Sequence, residues 1–286
     1  MPASSHSLPA NRQITPILNG SESIGWHNAA FFVPFELADW KRKTIFDPIA
    51  ERAALVVYGN GRTDAEMLAA LPRELVPIIG CTIAIRDLVR EWIETGRRFV
   101  YWDRGYLCRG GLTWLPNRRR SKSFDHFRWQ LNGFQMPTQG PVNWHRLASL
   151  NIKPHPWRKD GRKVVVAAQS DIYNRFNRTE AWLDETLDQL RGCGREIVVR
   201  HKTSRVPLLQ ELQGAHCLVT HGSIAAVEAV VMGYPVFVDQ CSAAALVGRT
   251  DLDIENPVTP ERRHWMGRLA ASQFTLSEIL NGECWK

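Results

Sequence analysis

The residues His221, Gly222, Ser223 and Glu228 have the types and the spacing to bind a phosphorylated ligand. The apolar run ending at Thr220 predicts a strand, and the pattern from Ser223 onward predicts a helix directly after it. The open amides at such a helix start, with the positive end of the helix dipole, attract anions. Gly222 would let the backbone approach a phosphate closely, while Ser223 and His221 could donate to it. Glu228 could then accept hydrogen bonds from ribose hydroxyls.

The same residues also have a purely structural interpretation. Ser223 could only cap the helix, His221 could be a satisfied loop residue, and Glu228 could be a solvated helix position. Junctions of a strand, Gly-Ser and a helix are common in α/β proteins. The local chemistry alone therefore leaves both interpretations open.

The elements that must position these residues alternate between strand and helix patterns, which is typical of an α/β fold. Strands are predicted at 53–58, 75–79, 99–102, 163–168, 196–200, 217–220 and 235–238. The succession from 163 to 238 predicts a parallel, doubly wound sheet. The length of 286 residues suits two modest domains. We expect a flexible leader at 1–25, a first domain at 26–150 and a second at 151–286, which ends in a helix after Pro260.

The segment from 107 to 160 lacks either periodicity and is rich in Gly, Pro, Arg and aromatic residues. A long irregular loop inside a compact domain is usually functional. We therefore predict an irregular insertion that faces a second substrate, followed by an inter-domain linker at about 145–162.

The pattern His-Gly-Ser-x-x-x-x-Glu-Ala-x-x-x-Gly-x-Pro-Val, from His221 to Val236, resembles the donor-nucleotide segment of GT-B glycosyltransferases. It is similar in particular to capsule-polysaccharide and phage-encoded transferases. The resemblance implies two Rossmann-like domains facing across a cleft, with a nucleotide sugar, preferably a UDP-sugar, as co-substrate. It also implies that Ser223 and the helix amides hold the pyrophosphate, that Glu228 holds the ribose, and that Arg200 and Lys202 meet phosphate charge.

Asp103 is the candidate catalytic base. It follows the predicted strand 99–102, at the carboxyl edge where such sheets place their ligands, and a carboxylate can take the proton of an acceptor hydroxyl. As an alternative, Asp103 could pair with Arg104 or form the turn before Gly105.

The chain carries a formal net charge of +7 and has a pI near 9.3, which suits a polyanionic partner. Between residues 109 and 135, basic residues are interleaved with aromatic ones, as a nucleic-acid groove requires. The same rings could instead form an aromatic core bordered by surface arginines. The candidate acceptor-binding residues are Arg104, Arg109, Arg118, Arg119, Arg120, Lys122, Arg128 and Trp129.

The stretches 101–106 and 128–135 also resemble phage-encoded glycosyltransferases associated with modified DNA. This resemblance implies DNA as a partner and a hydroxymethylated pyrimidine as the acceptor. The alternatives are a transferase for a surface or capsular polysaccharide, a non-catalytic polyanion-binding protein on the same scaffold, and a UDP-sugar epimerase, which shares the motif.

The six cysteines contain no Cys-x-x-Cys pair, so we expect free thiols and assign no metal site. No apolar run approaches the length of roughly 18 residues needed to span a bilayer, and the first residues lack the apolar stretch of a signal peptide. A cytoplasmic protein without a membrane span is the resulting expectation.

Overall fold

The computed structural model describes residues 23–35, 37–80, 83–107, 126–135, 140–158 and 160–286, and their strands form two β-sheets. The strands are β1 (Ala29–Val33), β2 (Leu55–Tyr58), β3 (Val76–Ile79), β4 (Val100–Arg104), β5 (Phe127–Leu131), β6 (Lys163–Ala167), β7 (Glu196–Arg200), β8 (Ala215–Thr220), β9 (Val236–Val238) and β10 (Gln273–Phe274). The first sheet has the order β10-β5-β4-β3-β1-β2 and the second has the order β7-β6-β8-β9.

The helices lie between and around these strands. They are α1 (Asp39–Lys41), α2 (Asp47–Ala50), α3 (Asp64–Ala69), α4 (Arg86–Thr95), α5 (Trp144–Leu150), α6 (Asp171–Asn177), α7 (Trp182–Gln189), α8 (Leu208–Glu211), α9 (Ile224–Val231), α10 (Arg263–Ala271) and α11 (Leu276–Leu280). A π-helical segment, Arg42–Phe46, joins α1 to α2. None of the helices in the described ranges combines the length and the apolar character that a bilayer crossing requires.

The first sheet is parallel from β2 through β1 and β3 to β4, and antiparallel at β5 and β10. All five residues of β1 are buried, as expected for a central strand that is covered on both faces. One face packs against Ile49 of α2 and Ile279 of α11, and the other against Val89 and Trp92 of α4.

The second sheet is parallel throughout. Its strands are covered on one face by α9, through Val227 and Val230, and on the other by α7, through Leu183 and Leu187. Both halves therefore have helices on both faces of a mostly parallel sheet. The predicted α/β class, with two Rossmann-like doubly wound halves facing across a cleft, is confirmed.

The prediction of an irregular segment and linker is wrong in two places. Residues Phe127–Leu131 form β5, and Trp144–Leu150 form α5. The strand was hidden because Arg128 and Gln130, which alternate with its buried aromatic residues, are also buried and hydrogen-bonded. The helix has only seven residues, too few to show a helical period.

The chain returns to the first sheet after completing the second. Helix α10 is followed by β10, which pairs antiparallel with β5. Arg146 of α5 then donates to the Ala270 carbonyl oxygen at 3.0 Å and pairs with Glu278 of α11 at 2.6 Å. The last strand and helix of the described chain therefore belong to the first half.

Helix α6 makes a direct contact between the halves. The Arg86 guanidinium donates to the Arg175 carbonyl oxygen at 2.7 Å, and Arg178 pairs with Asp87 at 3.0 Å. The Phe134 ring meets Phe176 edge to face, with centroids 5.2 Å apart. The C-terminal end of α6 thus rests on the first half, while its N-terminal end borders the cleft.

Candidate functional site

A cleft of about 540 Å³ lies between the two halves. The first half lines it with Asp103, Arg104, Arg128 and Gln135. The second half lines it with the turn after β6, the segment 200–209 and the start of α9. The carboxyl ends of both sheets therefore meet the same cavity, which is where parallel α/β sheets bind ligands.

The start of α9 has the geometry expected of an anion site. Ser223 is the N-cap in extended conformation, and its hydroxyl accepts from the Ala225 amide at 3.2 Å. Ser223, Ile224 and Ala225 all line the cleft, so the positive end of the helix dipole faces it. Glu228, about one turn further along α9, also lines the cleft, although only 6% of this residue is exposed.

The backbone at Gly222 packs closely against other side chains of the protein. A Cβ atom at this position would overlap the Tyr173 hydroxyl, so the close approach expected for a phosphate is made by Tyr173. With its side-chain carbonyl turned toward the loop, Gln169 accepts from the His221 and Gly222 amides, each at 3.2 Å. These two amides thus have an acceptor within the chain.

His221 lies beside the cleft. Its Nδ1 is 2.9 Å from the Tyr173 hydroxyl, and its Nε2 is 3.8 Å from Asp239 Oδ2. Burial lowers the pKa of His221, and the nearby Asp239 only partly opposes this effect. At neutral pH the imidazole is therefore uncharged, and any contribution to anion binding would come from hydrogen bonding.

The basic residues at the end of β7 and just after it differ in whether the protein already satisfies their charge. Arg200 forms an ion pair with Glu211 and donates to the Val206 carbonyl oxygen at 2.8 Å, so its charge is largely satisfied within the protein. Lys202 and Arg205 are exposed and line the cleft. Lys202 was predicted from the sequence, and Arg205 was missed because it falls outside the basic cluster at 200–202.

Asp103 is the penultimate residue of β4 and does not follow the end of the strand as predicted. Its carboxylate accepts from the Arg128 guanidinium at 2.8 Å and from the Arg104 amide at 2.7 Å, and its side chain is 41% exposed. The alternative of a pairing with arginine is thus observed, but the paired side chain is that of Arg128. The carboxylate remains part of the cleft wall.

Arg128 is almost fully buried, with a side chain 7% exposed. Its guanidinium also donates to Gln135 at 2.7 Å and lies over the rings of Tyr101 and Tyr106. Burial opposes its charge, but Asp103 and the two tyrosines outweigh burial and raise its pKa. Arg128 is therefore a permanent cation held in the cleft wall.

The remaining acceptor candidates are separated by the structure. Arg104 lines the cleft. Trp129 does not, because its ring is buried among Trp26, Trp102 and Trp285, so the structure does not bring this predicted acceptor-binding residue to the cleft. Arg109, Arg118, Arg119, Arg120 and Lys122 lie outside the described residues.

A second, smaller cavity of about 240 Å³ adjoins the cleft at Asp103 and Arg104. Its wall is mostly apolar and includes Phe46, Trp102 and Phe127. Phe46 is the last residue of the π-helical segment, and such segments occur frequently at functional sites. This cavity could not be predicted from local sequence patterns, because its residues come from separate parts of the first half.

No family model matches the sequence, and no curated protein matches it. The fold is similar to a solved structure titled Thermosulfurimonas dismutans KpsC, beta Kdo 2,4 transferase, with 12% identity, 91% of this chain and 99% of that chain covered, and a TM-score of 0.48. It is also similar to the structure of Thermosulfurimonas dismutans KpsC, beta Kdo 2,7 transferase, with 12% identity, 89% of this chain and 97% of that chain covered, and a TM-score of 0.45. A likeness of this degree leaves the reaction and the substrates of this chain to be inferred from its own residues.

Proposed function

We propose that this chain is a glycosyltransferase that moves a sugar from a nucleotide sugar to a hydroxyl acceptor. The observation that carries the proposal is the arrangement of a single cleft. On one wall lie the N-terminus of α9, with Ser223, and the buried carboxylate of Glu228, and on the other wall lies Asp103.

The donor half of the cleft suits a nucleoside diphosphate. The α9 amides and the Ser223 hydroxyl offer hydrogen bonds to phosphate oxygens, and Lys202 and Arg205 add positive charge at the rim. Glu228, held on the same helix, offers acceptor oxygens to ribose hydroxyls. The volume of about 540 Å³ lies in the usual range for small-molecule sites.

The reaction would proceed between the two walls. The acceptor hydroxyl oxygen bonds to the anomeric carbon, the bond from that carbon to the phosphate oxygen breaks, and the nucleotide leaves with the bonding electrons. Asp103 would take the hydroxyl proton. Lys202 and the α9 amides would stabilise the charge that develops on the leaving phosphate.

For the acceptor, we place a glycan first. The cavity beside Asp103 is lined by aromatic and aliphatic side chains and would receive the apolar face of one ring next to the carboxylate. Trp129 is buried and Arg128 is ion-paired, which removes two residues on which the DNA hypothesis depended. Hydroxymethylated DNA remains the second candidate because of the net charge of +7 and the arginine-rich segment 118–122.

The test combines binding with transfer. The purified chain is incubated with radiolabelled nucleotide sugars and with two acceptor panels, one of oligosaccharides and one of DNA containing 5-hydroxymethylated pyrimidines. Glu228→Gln should reduce nucleotide-sugar binding by about 10-fold or more, because a hydrogen bond to a charged group contributes roughly 1.5–3 kcal/mol. The exposed carboxylate of Glu185 on α7 provides the matched control, Glu185→Gln, which should bind like the wild type.

The outcomes separate the candidates. Label in the oligosaccharides supports the glycan acceptor, and label in DNA supports the second candidate. Failure of every nucleotide sugar to bind, or equal binding by Glu228→Gln and the wild type, would overturn the proposal.

A further inference from the structure

Four side chains with metal-binding atoms converge behind the His221–Ser223 loop, and the proposed transfer reaction uses none of them chemically. His221 follows β8, Asp239 and Cys241 follow β9, and Tyr173 comes from α6. One donor atom each from His221, Asp239 and Cys241 lie within 4.8 Å of one another. Two loops and one helix of the second half thus bring an imidazole, a carboxylate, a thiol and a phenol to one point.

The spacing of the thiol and the imidazole suits a tetrahedral cation, and Asp239 Oδ2 lies 3.8 Å from the other ring nitrogen, Nε2. Zn–S bonds of about 2.3 Å and Zn–N bonds of about 2.1 Å, at a tetrahedral angle, place the two ligand atoms about 3.6 Å apart. The observed distance from Cys241 Sγ to His221 Nδ1 is 3.7 Å. The Tyr173 hydroxyl oxygen is 2.9 Å from the same nitrogen and 3.8 Å from the same sulfur, and so lies beside both ligand atoms.

We propose that His221, Asp239 and Cys241 bind a zinc ion, with the fourth coordination position directed toward the Tyr173 hydroxyl. A thiolate and an imidazole together favour Zn²⁺ over the hard cations Mg²⁺ and Ca²⁺, which prefer oxygen ligands. As the Zn–S bond forms, the Cys241 thiol releases its proton to water. Metal binding at this thiol therefore displaces a proton.

The site would fix the loop that begins α9. A Cβ atom on Gly222 would lie 3.5 Å from Cys241 Sγ and would overlap the Tyr173 hydroxyl, so the loop backbone packs directly on the ligand cluster. A cation held there would tie β8, β9 and α6 together beneath Ser223. The role assigned to the metal is thus to hold the loop, and it does not depend on the proposed transferase activity.

The test uses Co²⁺, which takes the same tetrahedral sites as Zn²⁺ and reports its ligands by absorption. The full chain, free of tags and stripped with a chelator, is titrated with Co²⁺ alone. One equivalent should bind with a thiolate-to-cobalt band and tetrahedral visible bands, and Zn²⁺ should displace it. Cys241→Ser should abolish the thiolate band and weaken binding by about 100-fold or more, since loss of an outer-shell group already costs roughly 10- to 100-fold.

The partly buried thiol of Cys193 is the matched control, because it lies outside the cluster. Cys193→Ser should retain both the band and the affinity. Asp239→Asn should keep the thiolate band and lose affinity, and circular dichroism confirms that each variant is folded. The proposal is overturned if the wild type shows no saturable binding, or if the thiolate band persists unchanged in Cys241→Ser, which would assign the metal to other cysteines.

Discussion

Replacing Asp103 with asparagine tests whether this carboxylate stabilises the first half as well as bordering the cleft. Asn keeps the shape and one neutral acceptor but removes the negative charge that faces Arg128 at 2.8 Å. Arg128 would then be a buried cation without an ion-pair partner at this position, and its other hydrogen bonds within the described residues go to Gln135 at 2.7 Å and the Tyr101 hydroxyl at 3.4 Å. We expect a clear loss of folding stability in the absence of any substrate.

The magnitude follows from the burial of the pair. Removing one partner of a fully buried ion pair costs about 3–5 kcal/mol. The side chain of Asp103 is 41% exposed while that of Arg128 is 7% exposed, so solvent screens part of the interaction, and Asn retains a neutral hydrogen bond. The expected loss is therefore about 2–3 kcal/mol, which corresponds to a fall in Tm of roughly 4–12 °C for a chain of this size class.

The assay is denaturant unfolding at neutral pH, supported by thermal melting. The control is Asp188→Asn, which removes a carboxylate from the solvent-exposed pair with Arg191 and should leave the midpoint unchanged. If Asp103→Asn has the same unfolding midpoint and Tm as the wild type, the burial of Arg128 does not depend on this carboxylate, and the structural argument for the pair is refuted. A loss of transfer activity without a loss of stability would then assign Asp103 to chemistry alone.

Two further predictions concern stability elsewhere. Gly233→Ala should cost about 2–4 kcal/mol, because the φ of 87° is unfavourable for alanine and its Cβ would overlap the Pro156 carbonyl oxygen. Gly192→Ala, at a φ of 84° with no atom within 4 Å, should cost only about 1 kcal/mol, and equal costs in urea unfolding would contradict the overlap. At Glu278, burial raises the pKa, but the hydrogen bonds from the Thr275 amide and Arg146 lower it by a larger amount. The folded pKa therefore lies below the ordinary value of 4.5. The stabilisation that ionised Glu278 provides is therefore complete above pH 4.5 and is lost as the pH falls through the folded pKa. Glu278→Gln should be less stable than the wild type at pH 7 and approach it below pH 4.5, and a difference that stays constant with pH in urea unfolding would disprove this linkage.

Local sequence patterns were sufficient for the elements that carry the donor side of the cleft. The run from Cys217 to Thr220 predicted β8, and Ser223 was correctly placed at the start of α9, because a strand end and a helix cap are decided by adjacent residues. The α/β class followed in the same way. These features depend on contacts that are close in sequence.

The parts that could not be predicted depend on distant contacts. Tyr173 lies 48 residues before His221, and no local pattern joins the two. The burial of Arg128 required the pairing of β4 with β5, which follows an intervening segment without periodicity. A sequence of polar and aromatic residues, read alone, could not show that Trp129 faces the core while Arg128 faces the cleft.

The position of β10 has a consequence for how the chain acquires its structure. The first sheet begins at Ala29 and is completed by Gln273 and Phe274, so its outer strand leaves the ribosome only after all the strands of the second sheet. Until then, β5 has an unpaired backbone edge, which can pair with strands of other molecules. Closing a contact over so long a loop is also slow. We therefore expect the second half to form first and the first half to mature only after β10 has been synthesised, with β5 as the segment most in need of protection during that interval.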